Sequence, residues 1–239
     1  MYCCGARDRK KVWWLGAATV LGIFYVVVLA SQMCKGDERG KEMKIMLEKP
    51  SFYGKKSVEE ALSQRRSVRD FKDEPLTLMD VSQLLWAAQG KVGEFRTVPS
   101  AGALYPLEVY LVARKVVGLS PGAYHYEVQE HALKPVIGKD VSGALASAAL
   151  WQNFIAQAPA NIVIAGDYER CAKKYGQRAK RYVDMESGMA VQNVLLQATA
   201  LGLGGVIVGA FDDMQVQKIL GISPKEVPLA IIPVGRGSK

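Results

Sequence analysis

The sequence RRSVRDF, residues 65–71, places three arginines and a serine at the end of a short predicted helix. That helix is predicted to begin at Ser57, because Glu60 three residues later completes a capping-box pattern. Each guanidinium group can bind two oxygens at once, so arginines and a hydroxyl at one turn suit a phosphate group. A solvated basic turn is the alternative for the cluster alone, since charge runs usually lie on the surface.

The segments that follow alternate between helical and strand patterns. Apolar residues from Val81 to Ala88 recur at helical spacing, and Gly90 ends the helix that they predict from Thr77. The later predicted elements are a strand at 107–114, a hairpin of 123–128 and 132–136, an Ala-rich helix at 141–156, a strand at 161–166, a helix at 184–201, a strand at 206–209, a helix at 212–220 and a strand at 229–234. This mixed order predicts an α+β fold rather than a regular doubly wound sheet.

The helix predicted from Asp184 to Leu201 is apolar on nearly all sides, which is typical of a buried helix. Its charged residues, Asp184 and Glu186, would make a membrane crossing costly. The small residues Ser187, Gly188 and Ala190 would allow another helix to approach closely. We therefore expect this helix in the core or at a dimer interface.

The N-terminal part of the chain has a different character. Val12–Met33 contains no charged residue and is long enough for the roughly 20 residues of a transmembrane helix. Basic residues precede this run, which favours a cytoplasmic N-terminus and places the main domain on the non-cytoplasmic side. A long cleavable signal peptide is the alternative. The predicted organisation is a basic tail at 1–11, a transmembrane signal-anchor at 12–33, a linker at 34–50 and a folded domain at 51–239.

The composition narrows the function classes. The chain has 239 residues, 49% of them hydrophobic, and a formal net charge of +8. A basic balance can reflect nucleic acid, an anionic membrane or anionic small ligands. The sequence carries neither a nucleic-acid-binding signature nor the Cys/His spacing of a zinc site, so we expect no nucleic-acid partner and no metal.

Two further stretches are rich in small residues. PSAGALYP, residues 99–106, directly precedes a predicted strand, and its small residues would let the backbone approach a flat ligand closely. Alone, such a stretch is typical of a turn. GLGGVIVGAF, residues 202–211, is similar to a dinucleotide-binding motif, but that motif needs a strand before its glycines and a helix after them. Here a helix comes first, so the glycines are predicted to end that helix.

Together these motifs resemble the FMN-dependent nitroreductase family, and within it the SagB-type branch related to thiazoline and oxazoline dehydrogenases. The resemblance is carried by RRSVRDF, PSAGALYP, YVDMESGMAVQNVLLQATALGLGGVIVGAF and IIPVGR, in this order within residues 57–236. It implies an α+β nitroreductase-like fold in which a mixed sheet is flanked by helices. It also implies an intertwined homodimer with two FMN sites at the subunit interface.

The resemblance implies roles for individual residues. The basic motif would hold the phosphate and ribityl end of FMN, and a residue after the last strand would reach the same phosphate. The small-residue turn would line the isoalloxazine ring, and a segment near the glycines would pass the reactive side of the flavin. The implied FMN-binding residues are Arg65, Arg66, Ser67, Arg69, Pro99, Ser100, Ala101, Gly102, Leu104, Val208, Gly209 and Arg236.

Two positions depart from the pattern that the resemblance implies. Ala103 stands near the place where many nitroreductases have an asparagine that hydrogen-bonds on the substrate side. The azoline-oxidising relatives carry a Lys-Tyr pair shortly before the long helix, and Arg181-Tyr182 is the dipeptide that we match to it. Tyr182 would then be a catalytic acid/base group, with packing under the helix as the alternative.

We therefore expect a membrane-anchored, FMN-dependent oxidoreductase that passes electrons from NAD(P)H to a small-molecule acceptor by a ping-pong mechanism. One alternative is an azoline dehydrogenase that acts on a peptide substrate. A second alternative, from another class, is a non-catalytic flavin-binding module. The two enzymes differ in whether reduced pyridine nucleotide bleaches the bound flavin, and the module would show no fast turnover with any acceptor.

Overall fold

The computed structural model describes residues 44–238. The predicted basic tail, the signal-anchor at 12–33 and most of the linker lie outside this range. Within the described part of the chain, no helix is both long enough and apolar enough to span a membrane.

The described residues form strands and α-helices in mixed order along the chain. The strands are β1 (Ile45–Met46), β2 (Lys91–Val92), β3 (Phe95–Arg96), β4 (Leu107–Ala113), β5 (Gly122–Glu127), β6 (Ala132–Ile137), β7 (Ala160–Asp167), β8 (Gly204–Gly205) and β9 (Glu226–Gly235). The α-helices are α1 (Val58–Gln64), α2 (Leu78–Gln89), α3 (Ser142–Ala148), α4 (Phe154–Gln157), α5 (Tyr168–Tyr175), α6 (Ala179–Ala200) and α7 (Asp213–Leu220).

One sheet organises the domain. Its strand order is β1-β6-β5-β4-β7-β9-β8, while β2 and β3 form a separate hairpin. The neighbouring strands of this sheet pair antiparallel. A parallel bridge between Ser67 and Gly205 adds the basic segment beside β8. The α+β prediction is confirmed, and the mixed character of the sheet is limited to isolated bridges of this kind.

Helices cover both faces of the sheet. Successive strand residues point to opposite sides, so one strand contributes apolar side chains to a core on each face. On β4, Val109 and Leu111 face a core built with α2 and α6. Tyr110 and Val112 face a second core, which contains residues of α3, α4 and α7. The sheet therefore lies between two helical layers, as the family resemblance implies.

The helix before the basic segment begins as its sequence predicts. Ser57 Oγ accepts a hydrogen bond from the Glu60 N–H at 3.1 Å, and the Glu60 carboxylate accepts one from the Ser57 N–H at 2.7 Å. This reciprocal capping satisfies two backbone donors that the first helical turn would otherwise leave unpaired. Arg65 follows as the C-cap, so the basic segment leaves the helix in extended form.

Two predicted boundaries are wrong, in each case because packing extends an element. The linker predicted at 34–50 runs into the domain, since Ile45 and Met46 pair with β6 and Leu47 is buried. The long helix begins at Ala179 rather than Asp184, because its first turns pack on the core through Ala179 and Val183.

The prediction of one Ala-rich helix at 141–156 is also wrong, because this range contains two helices, α3 and α4. Leu150 and Trp151 between them have φ of 56° and 60°, a left-handed conformation that ends a right-handed helix. The Gln152 side chain donates to the Ala149 carbonyl at 2.9 Å and to the Ala210 carbonyl at 3.1 Å. The first bond is local and the second is tertiary, and together they stabilise a break that alanine propensity does not predict.

Candidate flavin site

The basic segment, residues 65–71, lies along the edge of the sheet beside β8. The Val68 N–H donates to the Gly205 carbonyl at 3.1 Å. The Lys72 N–H donates to the Arg236 carbonyl at 2.9 Å, and Phe71 bridges Gly237. The fold therefore brings Arg236, near the C-terminus, to the segment that carries the other three arginines. We call this place the basic edge.

The side chains of the basic edge differ in their availability. Arg66 donates from one terminal nitrogen to the carbonyls of Ser63 and Arg65, each at 2.8 Å, so it is turned back on its own helix end. Ser67 and Arg69 are exposed, and Arg65 is half-buried. Arg236 pairs with Glu74 at 3.4 Å, and both side chains are largely exposed. Such an exposed pair is weak and a phosphate could replace its carboxylate.

The segment that leaves α6 runs beside the basic edge. The Leu203 N–H donates to the Ala198 carbonyl at 2.8 Å and the Gly202 N–H to the Thr199 carbonyl at 3.1 Å, a Schellman motif with Gly202 at φ 73°. The prediction that these glycines end the helix is confirmed. The strand predicted at 206–209 is wrong in its bounds, because the paired strand is β8 at Gly204–Gly205 and Val208 forms only an isolated bridge with β9.

Val208 and Gly209 differ in accessibility. Val208 is buried and exchanges two hydrogen bonds with Ile231 of β9, at 2.8 and 2.9 Å. Gly209 is exposed, and a methyl group on it would meet no atom within 4 Å. The backbone here is fixed by Val208 while the space beside Gly209 stays open, an arrangement that suits a ring lying against the chain.

The small-residue turn, residues 99–104, precedes β4. Ser100 Oγ accepts a hydrogen bond from the Tyr105 N–H at 2.9 Å and donates one to Glu186 Oε2 at 2.7 Å. Gly102 and Ala103 both have positive φ, 61° and 54°. The turn is thus pinned from inside by α6 and presents Pro99, Ala101, Gly102 and Leu104 at its partly or fully exposed side.

Two residues that the sequence argument missed lie against this turn. A Cβ on Gly102 would be 2.6 Å from the Tyr175 hydroxyl and 2.8 Å from Lys174 Nζ. Lys174-Tyr175 is a Lys-Tyr dipeptide shortly before α6, whereas Arg181-Tyr182, which we match to that pair from the sequence, lies inside α6. The Tyr182 ring is in edge-to-face contact with the Tyr175 ring, with 5.1 Å between the ring centroids.

A charged network supports the turn from the sheet side. Arg170 donates to the Tyr105 carbonyl and to Glu108, both at 2.6 Å, and His125 lies 3.1 Å from the other Glu108 oxygen. Burial raises the pKa of Glu108, but hydrogen bonds from His125 and Arg170 outweigh it and lower the pKa. Burial lowers the pKa of His125, but Glu108 and Glu127 more than reverse this and raise it. Arg170 therefore holds the turn at the Tyr105 carbonyl, and the negative charge of Glu108 beside it balances the positive charge of Arg170.

The basic edge and the small-residue turn lie at opposite ends of the sheet in one chain. The turn leads into Leu107, which pairs with Gly166 near the Glu226 end of β9. The basic edge lies at the other end of β9, where Val234 and Gly235 pair with β8. β9 has 10 residues, so the separation is on the order of 30 Å at about 3.3 Å per residue. The predicted site residues therefore form two groups, not one.

The residues present fit FMN by their chemistry. The basic edge offers guanidinium and hydroxyl donors, Arg65, Ser67, Arg69 and Arg236, which suit a phosphate monoester. The small-residue turn and the open space at Gly209 suit the two faces of a flat ring. Within residues 44–238, no group of three or more His, Cys, Asp or Glu residues could hold a metal ion.

A basic edge and a small-residue turn on an α+β sheet are the features that the family resemblance implies for this chain. The model of the nitroreductase family matches residues 62–236, which is most of the described domain. The chain therefore belongs to the nitroreductase family, as its motifs predict.

Relatives and solved structures agree with this assignment. MJ1384 of Methanocaldococcus jannaschii, named as a nitroreductase, is 50% identical over 181 residues, 75% of this chain and 90% of that protein. The microcin B17-processing protein McbC of Escherichia coli is 29% identical over 57% of this chain and 52% of its own length. A nitroreductase structure from Ralstonia eutropha superposes with a TM-score of 0.72 and 26% identity, over 84% of this chain and 92% of that one.

Proposed function

We propose that this protein is an FMN-dependent oxidoreductase that passes electrons from NAD(P)H to a small-molecule acceptor by a ping-pong mechanism. One observation carries the proposal: backbone pairing brings the segment that carries Arg236 beside the segment that carries Arg65, Ser67 and Arg69. Guanidinium groups from two distant parts of the sequence therefore lie at one edge of the sheet. A phosphate bound there would pair with guanidinium groups from both segments.

The chain's own residues would divide the work of holding the cofactor. Arg65, Ser67, Arg69 and Arg236 would bind the phosphate, and Ser100 with its turn would contact the ring. FMN, when bound, supplies the electron-transfer chemistry, while the protein orients and shields it. Arg66 would contribute charge rather than a direct contact, because its donors already serve the carbonyls of Ser63 and Arg65.

A homodimer is part of the proposal, because one chain separates the two halves of the site. The outward face of α6 carries Met185, Gly188, Met189 and Gln192, all exposed in the single chain. Met185 and Met189 are 56% and 38% exposed, unusual for large apolar residues on a long helix. A second subunit packed on this face would bury them, and would allow one subunit's turn to approach the other's basic edge.

The test of the phosphate site is FMN titration, followed by flavin fluorescence quenching, of the parent, Arg65→Ala and Ser67→Ala. Charge-assisted hydrogen bonds are worth roughly 1.5–3 kcal/mol each, so each change should weaken FMN binding about ten- to a hundredfold. Arg66→Ala is the matched control, since it removes the same charge but no phosphate contact. Riboflavin, which lacks the phosphate, should bind weakly and respond little to any of the three changes. Equal FMN affinity in all four proteins would refute the proposal.

Azoline oxidation on a peptide is the second candidate, favoured by the position of Lys174 and Tyr175 against the small-residue turn. McbC, a relative named for processing microcin B17, supports the same direction. On this reading Tyr175→Phe should slow oxidation of a dihydro-heterocycle while flavin stays bound. Tyr182→Phe is the comparison, and it tests the role first assigned to that tyrosine. Slower oxidation in Tyr182→Phe, with the parent rate in Tyr175→Phe, would instead support Tyr182 as the acid/base group.

Donor reduction separates the enzyme readings from a non-catalytic flavin-binding module. The absorption spectrum of the flavin-loaded protein is followed anaerobically after addition of NADH or NADPH. Bleaching followed by rapid reoxidation with an added acceptor supports the oxidoreductase. Bleaching without reoxidation by any acceptor would favour the module, and no bleaching would favour a donor other than NAD(P)H.

We also propose that residues 12–33 anchor the domain in a membrane, with the domain on the non-cytoplasmic side. The support is the uncharged run and the basic residues before it. After a carbonate wash, the full-length protein should remain with the membrane pellet. Release of a shortened protein would identify a cleaved signal peptide instead.

A further inference from the structure

Glu186 is a buried carboxylate directly behind the small-residue turn. It lies in the middle of α6 and is 1% exposed. Its Oε2 accepts the Ser100 hydroxyl at 2.7 Å, while Oε1 makes no hydrogen bond of ordinary geometry within the described residues and has only the Gln89 amide beside it. A buried carboxylate with an unpaired oxygen is costly, so its retention needs an explanation.

The hydrogen bonds of Ser100 depend on whether Glu186 carries a proton. The Ser100 hydroxyl has one proton to donate and two lone pairs, one of which accepts the Tyr105 N–H. When Glu186 is ionised, the carboxylate takes the Ser100 proton as its hydrogen bond, and none is left for a ligand. When Glu186 is protonated, it can donate to the second lone pair of Ser100. The Ser100 proton is then free to point outward.

The polar, charged and titratable groups around Glu186 come from three other elements. Gln89 of α2 lies beside the carboxyl, Arg96 of β3 faces it, and Arg170 and Cys171 face it from α5. Burial raises the pKa of Glu186, and it outweighs the opposing hydrogen bonds and cations. The buried position therefore favours the protonated carboxyl more than water does.

We propose that Glu186 is a positioning residue that decides whether Ser100 donates its hydroxyl proton to a flavin lying against the small-residue turn. The inference rests on the proposed function, because it needs a flavin at that turn. Ser100 is half-exposed, so its outward proton can reach a ring acceptor while its inner side contacts Glu186. One hydrogen bond to the flavin is thus gained or lost with one proton on a residue that the flavin does not touch.

The experiment measures the FMN dissociation constant of the full-length protein from pH 5 to 9. In the parent, binding should weaken as pH rises through the pKa of Glu186, by about two- to tenfold, the contribution of one hydrogen bond. Glu186→Gln cannot ionise and should lose this pH-dependent weakening. Ser100→Ala has no hydroxyl proton and should lose it as well. Titration of the FMN phosphate occurs in every variant, so only differences between pH profiles are interpreted.

His125→Asn is the matched control, because His125 is a titratable group behind the turn and acts on it only through Glu108 and Arg170. This variant should keep the pH profile of the parent. If Glu186→Gln instead weakens FMN binding equally at every pH, Glu186 only supports the fold and the inference is wrong. Loss of the profile in His125→Asn would overturn it too. A parent that binds no FMN would refute the proposed function itself, which is a distinguishable result.

Discussion

Gly204 offers the sharpest test of how the fold builds the basic edge. A Cβ at this position would lie 2.4 Å from Val68 Cγ2 and 2.7 Å from Val68 Cβ. Carbon atoms normally pack 3.5–4.0 Å apart, so Gly204→Ala forces Val68 away by more than about 1 Å. Val68 lies between Ser67 and Arg69, and its N–H bonds to Gly205. The added methyl should therefore displace the side chains of Ser67 and Arg69, which we propose bind the phosphate.

The magnitude follows from the cost of overpacking. Inserting a methyl into a filled site costs typically 1–3 kcal/mol. For a domain of 150–250 residues each kcal/mol lowers Tm by about 2–4 °C, so a decrease of about 2–12 °C is expected. Gly143→Ala is the matched control, because a methyl on this helical glycine meets no atom within 4 Å. That change should raise stability by roughly 0.5–1 kcal/mol.

Thermal denaturation and FMN titration of four proteins complete the test. These four proteins are the parent, Gly204→Ala, Val68→Ala and the double variant. Because Val68→Ala removes the atoms that clash, the double variant should be more stable than the sum of the single effects predicts, by about 1–2 kcal/mol. Additive effects, or Gly204→Ala with the Tm and FMN affinity of the parent, would refute the contact as the reason for the glycine.

Three further predictions concern other parts of the domain. Met189→Glu places a charge on the outward face of α6, and light scattering should then find monomers; a stable dimer would refute this face as the interface. Ser57→Ala removes the cap of α1 and should lower the free energy of unfolding, measured with denaturant, by about 1 kcal/mol. An unchanged free energy of unfolding would show that the cap does not stabilise the domain. The pKa of His125 is raised in the folded protein, so its stabilising effect is complete below pH 6.5 and is lost as pH rises through the folded pKa. The stability difference between parent and His125→Asn should therefore shrink as pH rises, and a constant difference would contradict the ion pair with Glu108.

Local signals predicted most of the helices and strands. The capping residues Ser57 and Thr77 begin α1 and α2 because their hydrogen bonds are made within four residues of sequence. The pairing of β1 with β6 could not be predicted in the same way, since it joins Ile45 to Leu133 and Ile45–Met46 has no alternating pattern of its own. The break at Leu150 and Trp151 likewise depends on tertiary hydrogen bonds rather than on propensity.

The candidate site was predictable in its parts but not in its arrangement. Each motif is a short run of residue types with its own chemistry, so the donors of the basic edge and the small residues of the turn could be found in the sequence. Glu186 had a signal as well, a carboxylate within a predicted buried helix. Its contact with Ser100 required the fold, because 86 residues separate the two. Lys174 and Tyr175 were visible as a dipeptide, but only their distance from Gly102 distinguishes them from Arg181 and Tyr182.

The distance between the two halves of the site links cofactor binding to association. Neither the basic edge nor the small-residue turn could surround a flavin within one chain, so on the proposed function tight FMN binding would require two subunits together. A ligand that binds only the associated form stabilises that form by mass action. FMN should therefore strengthen the proposed dimer, and weakening the proposed phosphate contact at Arg65 should weaken association. By the same reciprocity, Met189→Glu should release FMN without altering any residue that holds it.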